Sequence, residues 1–150
     1  TVVSGQGKSK ACFATLAERK TRFYIAMKIP DRRAETMENA IVSMLSSFPP
    51  QLVKTITCDR GAEFANWRQI EKRLHCDVYF ADPYCAWQKG TNENLNGLLR
   101  EFYPKGRNLS RVAPATLKRN LALLNARPRK VLYFHSAQEL WDFELNSCCT

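Results

Sequence analysis

Two acidic residues stand where their surroundings would let them do chemistry. Asp59 closes a short apolar-rich run, residues 52–58, and precedes Arg60-Gly61, while Glu93 lies in a polar segment just before Leu95, Leu98, Leu99 and Phe102. Carboxylates are hard oxygen ligands. Where they meet in space they can hold divalent cations, which neutralise a phosphodiester in transfer, activate one oxygen and stabilise another as it leaves. Each residue also has a plainer role: an aspartate before glycine forms turns, and a glutamate on a helix faces solvent. Residues 60–92, 33 positions, separate the two, so only a fold can bring them together.

The surrounding pattern predicts such a fold. Residues 11–16 and 23–28 are apolar or aromatic runs split by Glu18-Arg19-Lys20-Thr21, which reads as a hairpin preceded by a strand ending Thr1-Val2-Val3. Met37, Ile41, Met44, Leu45 and Phe48 recur at helical spacing, with Asp31 available as a cap and Pro49-Pro50 beyond the end. A strand at 52–58, with Gly61 permitting a sharp turn after it, a short helix at 64–74 and a strand at 78–80 follow.

The next helix starts near Thr91, packs Leu95, Leu98, Leu99 and Phe102, and stops at Pro104. On it Glu93, Gly97 and Arg100 fall on the opposite face. Helices at 114–124 and 136–145 complete the chain, the last opened by Ser136-Ala137-Gln138-Glu139, a capping box. Strands followed by alternating strands and helices give an α/β domain with a mixed sheet of about five strands and helices on both faces. At 150 residues and 45% hydrophobic content, one domain spanning 1–150 is expected.

Charge narrows the partners. The net charge is +9, and between Arg100 and Lys130 nine basic residues face one acidic residue, Glu101. Such a surplus attracts polyanions, phosphate backbones above all, or else makes a solvated face. The absence of a signal-like start or a long uncharged apolar run reads as a soluble, intracellular protein. Six cysteines occur with no C-x-x-C pair, and His75 and His135 offer no familiar ligand spacing, so reduced thiols are expected rather than a zinc site.

Two segments carry a resemblance. Thr57-Cys58-Asp59-Arg60-Gly61-Ala62-Glu63-Phe64 and the run from Tyr79 through Asp82-Pro83-Tyr84, Trp87-Gln88-Lys89-Gly90-Thr91-Asn92-Glu93 to Arg100 resemble the second and third signatures of bacterial insertion-sequence DDE transposases, whose core is ribonuclease H-like and integrase-like. The 33-residue gap is similar to that family's pattern. Residues 16–23, 102–106 and 124–130 stand in the family's order as well, so the resemblance covers essentially the whole chain. Cys85-Ala86 replaces the usual Ser-Pro, and Cys58 replaces an apolar or aromatic residue, which bears on loop shape more than on chemistry.

The resemblance implies cleavage at transposon ends and strand transfer into target DNA. Catalysis and metal binding would fall to Asp59 and Glu93 with two Mg2+ or Mn2+ ions. Lys89, Asn92, Arg100, Lys105 and Arg107 become DNA contacts, and Trp87 or Tyr84 a stacking platform for an unpaired base, with loop packing as the alternative for both aromatics. It implies terminal inverted repeats and target DNA as partners, a homo-oligomeric synaptic complex, and a cytoplasmic, nucleoid-associated setting. A third carboxylate, expected from an Asp-Thr-Val-like motif, would immediately precede Thr1, and without it weak metal binding and little strand transfer are expected of residues 1–150. The alternatives are a DNA-binding or assembly module with an incomplete acidic cage, or a nuclease on the same fold.

Overall fold

Alternation along β2 (Cys12–Ala17) sorts the molecule into layers. Cys12 and Ala14 point into one buried cluster and Phe13 into another, because successive strand side chains face opposite sides. The computed structural model describes residues 1–82 and 90–148. Around β2 lie β1 (Val2–Val3) and β3 (Tyr24–Ile29), then α1 (Ala34–Leu45), β4 (Thr55–Cys58), α2 (Trp67–Leu74), β5 (Asp77–Phe80), α3 (Gly90–Phe102), α4 (Pro114–Ala126) and α5 (Ala137–Cys148).

One layer packs α1 and α2 on the sheet through Met37, Ile41, Met44, Ile70 and Leu74. The other packs α3 and α4 through Leu95, Leu99, Leu117 and Leu124. Helices thus cover both faces, as the alternating pattern predicts. Phe48 lies beyond the end of α1 and joins Phe23 and Trp141; Phe23 stacks on Trp141 at 5.1 Å and 6°, which ties α5 to the β2–β3 turn.

The strands are antiparallel in the order β1-β2-β3 and parallel in β4-β5. Both senses predicted for a mixed sheet are present, hydrogen-bonded as two sheets. β1 contributes only two ladder residues, Val2 opposite Phe13 and Val3 opposite Cys12. Among the described residues no helix is long and apolar enough to cross a membrane.

Helix ends repay a closer look. The predicted capping box forms: Ser136 N–H donates to Glu139 Oε2 at 2.8 Å, and Glu139 N–H donates to Ser136 Oγ at 3.1 Å. Asp31 does not cap α1. Arg33 is the N-cap residue, and Asp31 instead accepts from the Arg33 amide and from Thr36 Oγ1, bracing the turn before the helix. Cys12, Cys58 and Cys76 are buried, and burial pushes the Cys12 thiol up to about 11, as for a packed, unreactive thiol. Cys85 and Cys149 lie outside the described residues.

Candidate active site

Asp59 leaves the C-terminal end of β4 because of the strand's alternation. Ile56 and Cys58 face the core while Thr55 and Thr57 are exposed, and Asp59 emerges exposed just past the last ladder pair, Cys58 opposite Phe80. The neighbouring carbonyl of Cys58 accepts from the Ala81 amide at 2.8 Å, which fixes the strand end below it.

Gly61 does not serve the sharp turn that its type suggests. Its φ of −74° and ψ of 149° are extended backbone that any residue adopts. The space above it is what matters: a Cβ there would lie 2.5 Å from Glu63 Oε2 and 3.1 Å from Asp59 Oδ1. Two carboxylates therefore share one small volume over a residue with no side chain. Glu63 is the acid that sequence reasoning passed over, although it lies in the same short segment as Asp59.

The start of β1 reaches the same corner. Thr1 is exposed as a residue, yet its amino group loses solvent, which lowers its pKa, while the charges of Asp59 and Glu63 pull it back up. The first residue of the chain is thus within the field of both acids.

Glu93 sits exposed in the first turn of α3. The positions that turn inward are Asn92, Leu95, Asn96 and Leu99, spaced i, i+3, i+4 and i+7. Leu95 and Leu99 are fully buried. The two asparagines meet the sheet instead of solvent: Thr15 Oγ1 donates to Asn92 Oδ1 at 3.3 Å, Asn92 Nδ2 donates to the Thr15 carbonyl at 3.4 Å, and Tyr24 donates its hydroxyl to Asn96 Oδ1 at 2.6 Å. Arg22, in the β2–β3 turn at φ 62°, adds a bond from Nη1 to Thr91 Oγ1. The helix that carries Glu93 is oriented by a polar seam, and Glu93 itself is left outside it.

The expected DNA contacts divide accordingly. Asn92 has its side chain committed to Thr15. Arg100 donates to the carbonyls of Val3 and Tyr103, tying α3 to β1. Arg107 donates to the Phe102 carbonyl and lies 5.4 Å over the Tyr103 ring, while its residue stays exposed. Lys105 is exposed. Lys89, Trp87 and Tyr84 lie outside the described residues. Gly97 is exposed, and among the described residues nothing lies within 4 Å of a Cβ placed there.

A layered α/β domain with an acid at the end of a parallel strand and a second acid on the helix after the next strand has the organisation of a ribonuclease H-like integrase core. Its fold matches the crystallised catalytic core domain of BIV integrase with a TM-score of 0.70 at 17% identity, covering 99% of this chain and 94% of that one. Residues 1–86 match the integrase core domain family, and the chain belongs to that family.

Several relatives at higher identity are insertion-element proteins. A probable transposase for the insertion-like element IS1161 of Streptococcus salivarius is 37% identical over 142 residues, 95% of this chain and 40% of the relative. The transposase of IS1086 from Cupriavidus metallidurans is 38% identical over 135 residues, 90% of this chain and 40% of that protein. The InsI transposase of IS30A from Escherichia coli K12 is 37% identical over 134 residues, 89% and 35% respectively. The chain therefore spans about two-fifths of the length of these relatives.

Proposed function

We propose that this chain is the catalytic core of a DDE transposase, which cleaves DNA at the ends of a mobile element and joins the freed 3′ hydroxyl to target DNA. Asp59 and Glu93 are its carboxylate ligands, and the position before Thr1 supplies the third. The observation that carries this reading is a convergence at the start of β1. Continuing the register of Val2 opposite Phe13 by two residues sets the position before Thr1 opposite Thr15. Thr15 is the residue that Asn92 grips, one position from Glu93. On the other side, the Thr1 amino group feels the charge of Asp59. A residue there would lie on the side of β2 that faces α3, which supports its acting with the two acids.

The donor set fits Mg2+ or Mn2+. Asp59 and Glu63 offer hard oxygens in one shared space and Glu93 offers another on the exposed first turn of α3, whereas the softer Cys12 and Cys58 are turned into the core. Two such ions, when bound, would polarise the scissile phosphate and activate the attacking oxygen. The protein's own part is placement: β4 fixes Asp59, the polar seam fixes the turn of α3 that bears Glu93, and the exposed Lys105 and Arg107 meet phosphates. DNA at the element's ends and at the target are the substrates, and a homo-oligomer in the cytoplasm, at the nucleoid, is the working assembly.

A second reading has one observation in its favour: among the described residues no three His, Cys, Asp or Glu side chains cluster as a metal site. In that reading the chain is a DNA-binding or assembly module. One experiment separates the two. An aspartate placed before Thr1 should bring nicking and joining of end-mimicking DNA with Mg2+ or Mn2+, and Asp59→Asn or Glu93→Gln should abolish both. Extended protein that binds DNA but neither nicks nor joins it would leave only the module.

A further inference from the structure

The corner between α4 and α5 exposes aromatic rings on an unfavourable backbone. Tyr133 and Phe134 are consecutive non-glycine residues at φ 53° and 67°, and they are 89% and 73% exposed. Left-handed backbone is disfavoured for bulky side chains, and so is leaving two large rings in water. The corner nonetheless has a closed hydrogen-bond frame: Tyr133 N–H donates to the Lys130 carbonyl, Phe134 N–H to Arg129, His135 N–H to Leu132 and Arg129 N–H back to His135. Leu132 is buried beneath, and Pro128 bridges Ser136. A conformation held this firmly against local preference points to a use.

Charge and position say what the rings meet. No acidic residue occurs between Glu101 and Glu139, and Arg127, Arg129 and Lys130 lead directly into the corner. Arg129 also connects the corner to the candidate active site. Its guanidinium donates to the carbonyls of Leu124 and Arg22, and Arg22 donates to Thr91, two residues from Glu93. A purely apolar partner would leave this cationic rim unused and an acidic one would leave the rings unstacked, whereas a nucleic-acid strand offers both phosphates and flat bases. Inside a duplex the base faces are already stacked, so exposed rings select unpaired bases.

We infer that Tyr133 and Phe134 form a stacking platform for an unpaired base of bound DNA, with the exposed Lys130 meeting its phosphates, while Arg127 is paired with Glu101 at 2.8 Å. This rests on the proposed action on DNA and adds which strand feature is gripped, and where.

The test exploits the backbone. Glycine accepts positive φ without strain, so the double variant Tyr133→Gly, Phe134→Gly removes both rings while suiting the loop. Binding of fluorescent duplex, and of the same duplex with an unpaired tail, is followed by anisotropy in EDTA, alongside thermal melting. The parent chain should prefer the tailed duplex. The variant should melt no lower than the parent, lose about tenfold in affinity for the tailed duplex, and bind the plain duplex nearly as before. Lys130→Ala should weaken both substrates alike and reduce the salt dependence.

A folded double variant that binds the tailed duplex as the parent does would overturn the platform. So would a parent that gains nothing from the tail. If sedimentation instead shows a self-association that the variant loses with DNA binding untouched, the rings serve a second copy of the chain and the platform is again refuted. A parent that binds no DNA at all defeats the proposed function and the platform together, which distinguishes it from the other outcomes.

Discussion

Asn92 holds Thr15 at two points, accepting from its hydroxyl at 3.3 Å and donating to its carbonyl at 3.4 Å, across 77 residues of sequence. The pair fastens the first turn of α3 to the middle of β2. It fixes the turn on which Glu93 points outward. Both bonds are long, so each contributes at the low end of an ordinary hydrogen bond. Asn92→Ala should cost about 1 kcal/mol and lower Tm by ~2–4 °C. Activity of the chain extended by an aspartate should fall much further than that stability loss explains, because Glu93 would lose its orientation. Unchanged turnover per folded molecule would remove Asn92 from any positioning role.

Gly61 gives a second prediction. In Gly61→Ala the new methyl would meet the Glu63 carboxylate at 2.5 Å, and the Glu63 side chain can swing away at little cost. The φ of −74° suits alanine, so stability should change by less than about 1 kcal/mol. Moving Glu63 disturbs the space it shares with Asp59. Mn2+ affinity, read by calorimetry on the extended chain, should therefore fall while Tm holds. A variant that binds Mn2+ like its parent would show that Glu63 and Asp59 do not act on the same ion.

How much of this was legible beforehand depended on whether partners lay nearby in sequence. The stripe Leu95, Leu99 and the capping box at Ser136 and Glu139 are local patterns, and both are realised. Asp59 at a strand end followed equally from local alternation. The resemblance makes Asn92 a DNA contact, and nothing local in the sequence shows that its distant partner, Thr15, turns it inward. Gly61 was read through backbone freedom, whereas its lack of a side chain makes room for Asp59 and Glu63. The split into two sheets is a matter of which strand edges hydrogen-bond, and hydrophobic periodicity says nothing about that.

Acid should loosen the β2–β3 turn. Burial alone would raise the Glu18 pKa, but its carboxylate accepts from the Lys20 and Thr21 amides and the Thr21 hydroxyl, and together these hold it below its ordinary value. A group depressed in the folded state contributes stability above its unfolded pKa of ~4.3, which is lost as pH falls through the folded value. Melting in this acid window should therefore show a drop that Glu18→Gln largely lacks, since the amide carries no charge to lose. Parallel acid profiles for the two proteins would refute the assignment.

Arg22 sets two effects against each other. Its φ of 62° disfavours an arginine by roughly 1–2 kcal/mol relative to glycine, while its guanidinium reaches Thr91 at the head of α3. Arg22→Gly relieves the backbone and removes the bond, and a hydrogen bond from a charged donor is worth a comparable ~1.5–3 kcal/mol. The two nearly cancel, so Tm should move by no more than a few degrees. Function has no such cancellation, because only the side chain reaches the turn that carries Glu93. DNA cleavage by the extended chain should thus fall at nearly constant stability, and Arg22→Lys, which keeps the charge but not the planar fork, should restore only part of it. If Arg22→Gly instead cleaves as well as its parent, the seam along α3 holds the fold together without setting the chemistry.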